Sequence, residues 1–295
     1  MAAYSNQKIL IHDLIADENF RHPYLKVTPI DKLSYVTRTD YLSSHRKNFY
    51  LFVYVKSGIG RYWVDMTPFE LVSEAFYFAT PEQVHLKEDI SLSGVNISFT
   101  CNFLRQKGNE HLYDLPVVRN VQSRHVVNPS PNEKDEIEWL LEKIQIEYHR
   151  TTDIDDEVLF AYIRLLLVLL SRIYTRQYGK TTEITTRESY RHFQDHIEIH
   201  FKQFHDVGYY AGLLNFSTSH LNKLIKEQSG KTPSAHIHDR LILESKRMLF
   251  HSGLSIKQIA FELGFRDASY FNRFFKRGTG ITATAYKTTA EQQYI

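Results

Sequence analysis

Between Phe49 and Phe103 the apolar residues come in short unbroken or alternating runs, and beyond Pro131 they recur every three or four positions. The chain thus passes from a strand period to a helix period. Phe49 to Val55 is a β-branched and aromatic run, too short for a buried helix, and predicts a strand. Lys56-Ser57-Gly58-Ile59-Gly60 predicts a turn and Arg61 to Asp65 a second strand. Phe69 to Val72 and Ala75 to Ala79 predict two more. Pro81 then interrupts, and the alternation from Ser91 to Phe103 predicts another. Short strands at close spacing point to an antiparallel barrel or sandwich.

After Asn128-Pro129-Ser130-Pro131, the residues Ile137, Leu140, Leu141, Ile144 and Tyr148 fall at helical spacing, with acidic residues early in the segment. Asp153 to Tyr178 predicts a second helix with a broad stripe of Leu159, Tyr162, Leu166, Leu169, Leu170 and Ile173. The pair is expected to form a hairpin whose stripe packs either within the chain or across a subunit interface. Gly179 to Thr186 is polar and lacks an apolar period, so it reads as a linker. Everything beyond predicts helices.

The last third repeats itself. Ser217-Thr218-Ser219-His220-Leu221-Asn222-Lys223-Leu224-Ile225-Lys226 lies over Asp267-Ala268-Ser269-Tyr270-Phe271-Asn272-Arg273-Phe274-Phe275-Lys276 at an offset of 50, and Gly230 and Thr232 match Gly280 and Thr282. Ala211, Leu214 and Phe216 match Ala260, Leu263 and Phe265 at an offset of 49, so the second copy has one extra turn residue. Each copy reads as a short helix (Val207 to Leu214; Ser255 to Leu263), a tight turn, and a helix opened by an N-capping Ser217 or Asp267. That is the grammar of a helix-turn-helix. With Leu221, Leu224, Ile225 and Phe271, Phe274, Phe275 facing inward, the intervening polar residues face out. Asn bonds adenine bidentately and Arg or Lys bonds guanine, so Ser219, His220, Asn222, Lys223, Ser269, Asn272 and Arg273 are candidate base contacts. Ser217, Thr218, Lys226, Lys276 and Arg277 suit phosphate. Pro233 to Phe250 predicts one intervening helix of roughly 27 Å, able to set two recognition helices into successive major grooves about 34 Å apart.

Charge sharpens this division. The net charge of +2, from 36 Lys+Arg and 34 Asp+Glu, by itself argues against nucleic acid. It is an average: residues 1–186 carry 21 basic and 24 acidic side chains, and residues 187–287 carry 15 and 9. A basic third is the electrostatic footprint of a DNA-binding domain. An apolar fraction of 42% and a charged fraction of 24% disfavour collagen-like, disordered and membrane classes. Leu159 to Tyr174, broken by Arg164 and Arg172, reads as too short and too charged to span a bilayer. The single Cys101 excludes an intrachain disulfide framework and a Cys-rich zinc site, and it reads as a buried residue of a strand. Without signal-peptide features at the N-terminus, a cytoplasmic location is expected.

Ser255-Ile256-Lys257-Gln258-Ile259-Ala260-Phe261-Glu262-Leu263-Gly264-Phe265, Ser269 to Lys276 and Thr279-Gly280-Ile281-Thr282 resemble the signature of the AraC/XylS family of bacterial transcription regulators. Leu221 to Pro233 is similar to the first half of the same domain. The resemblance covers about a hundred residues and departs at two places. Ala283 stands where the family usually has proline, and Leu241 holds a linker-helix position often taken by arginine, with Arg240 beside it. It implies an α+β multidomain chain, with an N-terminal antiparallel cupin-like β-barrel and helical hairpin before an all-α domain. That domain would comprise seven helices, with two helix-turn-helix units joined by a long linker helix. The expected divisions are a cupin-like sensing domain over 1–130, a dimerising hairpin over 131–178, the linker over 179–186 and the DNA-binding domain over 187–287. It further implies promoter DNA and RNA polymerase as partners, a homodimer, transcriptional activation and a possible small-molecule effector.

A catalytic cupin needs several His and a carboxylate converging on one metal. Here His45-Arg46-Lys47-Asn48-Phe49-Tyr50-Leu51 offers one His and no following Glu, and His85 alone cannot hold a metal. No metal, cofactor or catalysis is therefore expected. A metal-dependent cupin enzyme fused to a DNA-binding domain is the alternative. Tyr50, Tyr54, Trp63 and His85 are the candidates for an effector pocket. His192, His196 and His200 share one helix face at a spacing that suits zinc in principle, but no acidic or cysteine partner is evident.

Overall fold

The structure is a computed structural model that describes residues 9–14, 22–30, 44–106, 109–120, 124–150, 153–179 and 188–293. It holds two compact units, Leu10–Thr182 and, in the main, Glu183–Ile295. Apart from Gly179, the expected linker lies outside the described residues. The α+β class is as expected: a sheet unit precedes a helical one.

The first unit is an eight-stranded sheet. Its strands are β1 (Leu10–His12), β2 (Leu25–Ile30), β3 (His45–Lys47), β4 (Tyr50–Val64), β5 (Thr67–Glu70), β6 (Ala75–Ala79), β7 (Val84–Phe99) and β8 (Val126–Val127). The order is β1-β3-β7-β4-β6-β8, with β2 also on β7 and β5 also on β4. Every described pairing is antiparallel except the parallel β1–β3 pair. Short helical segments α1 (Cys101–Leu104) and α2 (Pro116–Arg119) lead to a helical pair, α3 (Pro131–Tyr148) and α4 (Asp153–Tyr178). Ser130 caps α3 through a capping box with Glu133, and Pro131 takes the first turn, where its missing N–H costs nothing.

Two expectations change here. The glycine-rich stretch does not turn the chain: β4 runs on through Gly58 and Gly60, paired with β7 from Tyr50↔Phe99 to Val64↔His85. The register shifts between Val55 and Ser57 and between Ile59 and Arg61, so the glycines serve β-bulges in one long strand. Gly58 is required there, since its φ is +144° and a Cβ would stand 2.3 Å from the Ser91 carbonyl oxygen. The strand expected to end at Phe103 begins earlier, at Val84, and stops at Phe99. Cys101 therefore opens α1 and is half-buried rather than lying in a strand.

Alternation along β4 sorts the core in two. Tyr50, Phe52 and Tyr54 pack with Ile137, Leu140 and Ile144 of α3 and Leu159, Ile163 and Leu166 of α4. Leu51, Val55, Tyr62 and Val64 pack instead with Leu71, Tyr77 and Leu92. Asp156–Tyr178 is long and apolar enough, by length and composition, to cross a membrane, so the expectation of too short a segment does not hold. Its Leu159, Ile163, Leu166, Leu170 and Ile173 are buried in the core of the sheet unit.

Seven helices are described in the second unit: α5 (Glu188–His200), α6 (Val207–Leu213), α7 (Thr218–Ser229), α8 (Pro233–His251), α9 (Ile256–Glu262), α10 (Ala268–Thr279) and α11 (Ala283–Gln293). Their core runs continuously from Phe193 and Ile197 of α5 through Leu241 and Leu249 of α8 to Phe271 and Phe275 of α10. Ala283 is buried at the start of α11, and Thr282 still caps that helix, its Oγ1 accepting from the Ala285 N–H at 3.1 Å. The missing proline is absorbed without loss of the cap.

Candidate functional site

The repeat seen in the sequence is a repeat of hydrogen bonds. In the first copy Asn215 turns the chain with φ +55°, and the Phe216 N–H donates to the Ala211 carbonyl at 2.9 Å. In the second, Gly264 has φ +77° and the Phe265 N–H donates to the Ala260 carbonyl, again at 2.9 Å. The second copy's extra residue is Arg266, exposed between Phe265 and its cap. Ser217 Oγ accepts from the His220 N–H at 3.2 Å, and Asp267 Oδ1 accepts from the Tyr270 N–H at 2.8 Å. Gly230 and Gly280 close α7 and α10 in the left-handed conformation. Ser229 and Thr279 each donate 2.8 Å bonds to the carbonyls of Ile225 and Phe275.

This geometry holds two helices in matched poses. Leu221 and Ile225, like Phe271, Phe274 and Phe275, are buried, and Leu224 is half-buried. Ser217, Thr218, Ser219, His220, Lys223 and Lys226 on the first copy, and Ser269, Arg273, Lys276 and Arg277 on the second, are exposed. Asn222 and Asn272 are only half-buried rather than fully out. The Asn222 amide donates back to the Thr218 carbonyl at 2.9 Å, while Asn272 Oδ1 has no hydrogen-bond partner among the described residues. Tyr270 was missed in the sequence. It is exposed, occupies the position of His220 in the second copy, and its ring lies 6.0 Å below the Arg273 guanidinium. The 50-residue offset that singled out His220 singles it out too.

Behind this face a buried ion network ties α5 to α8. Arg240 reaches Glu198 at 2.7 Å and Glu244 at 3.1 Å, and Arg247 and Lys202 approach Glu244 at 3.6 and 3.8 Å. The Arg240 guanidinium lies 3.9 Å over the Phe201 ring, and its two carboxylate partners outweigh burial and raise its pKa. Leu241 is core, so the charge at this level of the helix is supplied from the neighbouring position. His196 and His200 stack at 6.1 Å, and the His200 ring meets the Tyr209 hydroxyl at 3.4 Å. Among the described residues no group of three His, Cys, Asp or Glu side chains is placed to hold a metal ion.

The sheet unit contains a cavity of about 270 Å³. None of the four expected pocket residues lines it. Tyr50 and Tyr54 point to the helical side of β4, where the Tyr54 hydroxyl donates to Glu138 Oε1 at 2.7 Å. The bulge after Val55 adds one residue to β4 and switches its parity, so Tyr62 rather than Trp63 shares a face with Leu51, Val53 and Val55. His85 is fully buried and bonded to the Tyr62 hydroxyl. Burial, with the charges of Lys47, His45, Lys87 and His125, drives its pKa well below the usual imidazole value and keeps it neutral.

Residues 210–289 match the family described as "Helix-turn-helix domain". The HTH-type transcriptional activator RhaS of Mannheimia succiniciproducens is 25% identical over 245 residues, covering 80% of this chain and 86% of that protein. The activator RhaR of Cronobacter sakazakii is 30% identical over 82 residues, 28% of this chain and 29% of that one. Among solved structures, ToxT from Vibrio cholerae aligns over 90% of this chain and 97% of that chain, at 17% identity and a TM-score of 0.39. A duplicated, capped helix-turn-helix with a basic outer face, matched by this family and by the RhaS and RhaR activators, is a regulator's apparatus rather than an enzyme's. The chain is similar to HTH-type transcriptional activators over most of its length, and with its helix-turn-helix domain it is a DNA-binding transcription regulator.

Proposed function

We propose that α7 and α10 are the recognition helices of a promoter-binding activator and enter successive major grooves on one DNA face. The observation that carries the reading is the matched pair of exposed faces, capped and terminated alike at an offset of 50. Ser219, His220, Asn222 and Lys223, and Ser269, Asn272 and Arg273, are assigned to base edges. Thr218, Lys226, Lys276 and Arg277 are assigned to phosphates. Ser217 shares that assignment, although its hydroxyl already caps α7. The 19 residues of α8, at about 1.5 Å each, separate the two units by roughly 28 Å. Footprinting on a selected site should then protect two patches about 10 bp apart, and a single protected patch would refute two-groove reading.

The same reading makes 1–130 a cupin-like sensing barrel, 131–178 a dimerising hairpin, 179–186 a linker and 187–287 the DNA-binding domain, in a cytoplasmic homodimer that contacts RNA polymerase. Trp139 and Ile146 of α3 and Leu165 of α4 are large apolar side chains left exposed on that hairpin, which supports a second copy there. A small molecule in the sheet unit would control DNA binding by differing affinity for two states of the chain. The cavity of about 270 Å³ supports this effector arm, and titrating DNA affinity against candidate ligands tests it.

A further inference from the structure

We infer that the cavity of the sheet unit is built for a small organic anion, an apolar body carrying one carboxylate or phosphate head held by Lys47 and Lys87. This deepens the effector reading and rests on it. The wall is apolar over most of its extent, with Leu51, Val53 and Val55 from one strand, yet it contains two ammonium groups. Lys47 is the last residue of β3 and is half-buried. Lys87 sits on β7 opposite Tyr62 and is exposed, which puts it where the cavity opens to solvent.

Among the described residues no Asp or Glu lines the cavity and neither lysine has an ion-pair partner. Burial and the charge of Lys87 lower the Lys47 pKa to about 7, and desolvation lowers that of Lys87 as well. A half-buried cation beside a second one on an apolar wall, with no counterion among the described residues, is costly, and an anion between them would lower the cost. Two of the other polar groups of the lining are already engaged. The Tyr62 hydroxyl is bonded to His85, and the Tyr77 hydroxyl accepts from the Val72 N–H at 2.7 Å and donates to the Glu70 carbonyl at 3.2 Å. Thr28 and Asn96 remain as neutral polar side chains of the lining, so recognition of charge falls to the lysines. The volume lies just below the roughly 300–1,000 Å³ of ordinary ligand pockets, which selects a compact molecule.

The experiment uses the full chain and two matched probe pairs, phenylacetate with phenylacetamide and hexanoate with hexanamide, plus inorganic phosphate, with affinities read by calorimetry. At least one acid should bind about tenfold or more tightly than its amide. Lys47→Met should abolish that preference while leaving amide affinity and the thermal midpoint equal or higher, because it removes an isolated charge. Lys47→Arg should retain part of the preference. Phosphate binding without either acid would keep the anion and discard the carboxylate head. Equal affinity for acid and amide, or no binding of any probe, would overturn the inference. DNA affinity is measured on the same samples: intact DNA binding with no anion binding sinks this inference alone. Anion binding that leaves DNA affinity unchanged sinks the effector reading alone.

Discussion

Arg273 and Asn272 are neighbours on α10 with different freedom. Arg273 is exposed, with its guanidinium over the Tyr270 ring, whereas Asn272 is half-buried and its carbonyl oxygen has no partner among the described residues. The arginine is accordingly the side chain that can reach a guanine edge at full length. Arg273→Ala should relax the preference at one base pair and cost about 1–3 kcal/mol, read by competition against a randomised site library. An unchanged preference would remove its assigned role. A second residue-scale consequence concerns Lys47, which is faced by Lys87, His85 and His45. Its folded pKa of about 7 lies below the unfolded value of 10.5, so between those limits the unfolded chain binds more protons. Wild-type stability should therefore rise relative to Lys47→Met as pH goes from 7 to about 10, by at most about 1.4 kcal/mol per pH unit, and be parallel below 7. Urea denaturation of both proteins across pH 6 to 10 measures it, and a constant difference would show that Lys47 is not desolvated.

At the scale of elements, the two helix-turn-helix turns reach one geometry with different residues. Asn215 and Gly264 both take positive φ, but a Cβ on Gly264 would stand 2.1 Å from the Lys202 carbonyl oxygen. Lys202 lies in the turn after α5, where the His205 ring also meets the Leu263 carbonyl at 2.8 Å. Gly264→Ala should thus cost more than backbone strain alone, above about 1–3 kcal/mol, while Asn215→Gly should be close to neutral. Chemical denaturation of the two variants tests it, and equal losses would contradict the close approach. Helices were legible in the sequence wherever a cap and a period agreed, as at Pro131–Tyr148 and across both copies of the repeat. The sheet was less so, because Gly58 and Gly60 specify a positive φ and not whether the chain turns or bulges. Only pairing with β7 decides that, and pairing is non-local. The cavity residues were not legible for the same reason: one bulge residue turns Tyr62 to the cavity and Trp63, also buried, away from it, a parity that local alternation cannot predict.

For the whole molecule, the decisive quantity is where the charge sits. Residues 187–287 carry 15 basic and 9 acidic side chains, yet several of the cations are spent internally. Arg240 and Arg247 are buried against Glu244, and Lys231 pairs with Asp239 at 2.7 Å. Among the cations that remain, Lys223, Lys226, Arg273, Lys276 and Arg277 lie exposed on α7 and α10. Lys226 and Lys276 stand at equivalent positions in the two copies, a turn beyond the residues proposed for base contact, and each should neutralise one phosphate. Replacing both by Ala should weaken binding to specific and random DNA by the same factor, because phosphates carry no sequence information. The slope of log affinity against log salt should become shallower by about 1.8, roughly 0.9 for each lost contact. Titrations from low to moderate salt on both DNAs measure slope and specificity together. A change of only about 0.9 would mean that one of the two copies does not engage the backbone. An unchanged slope would place the DNA on another face of the helical unit.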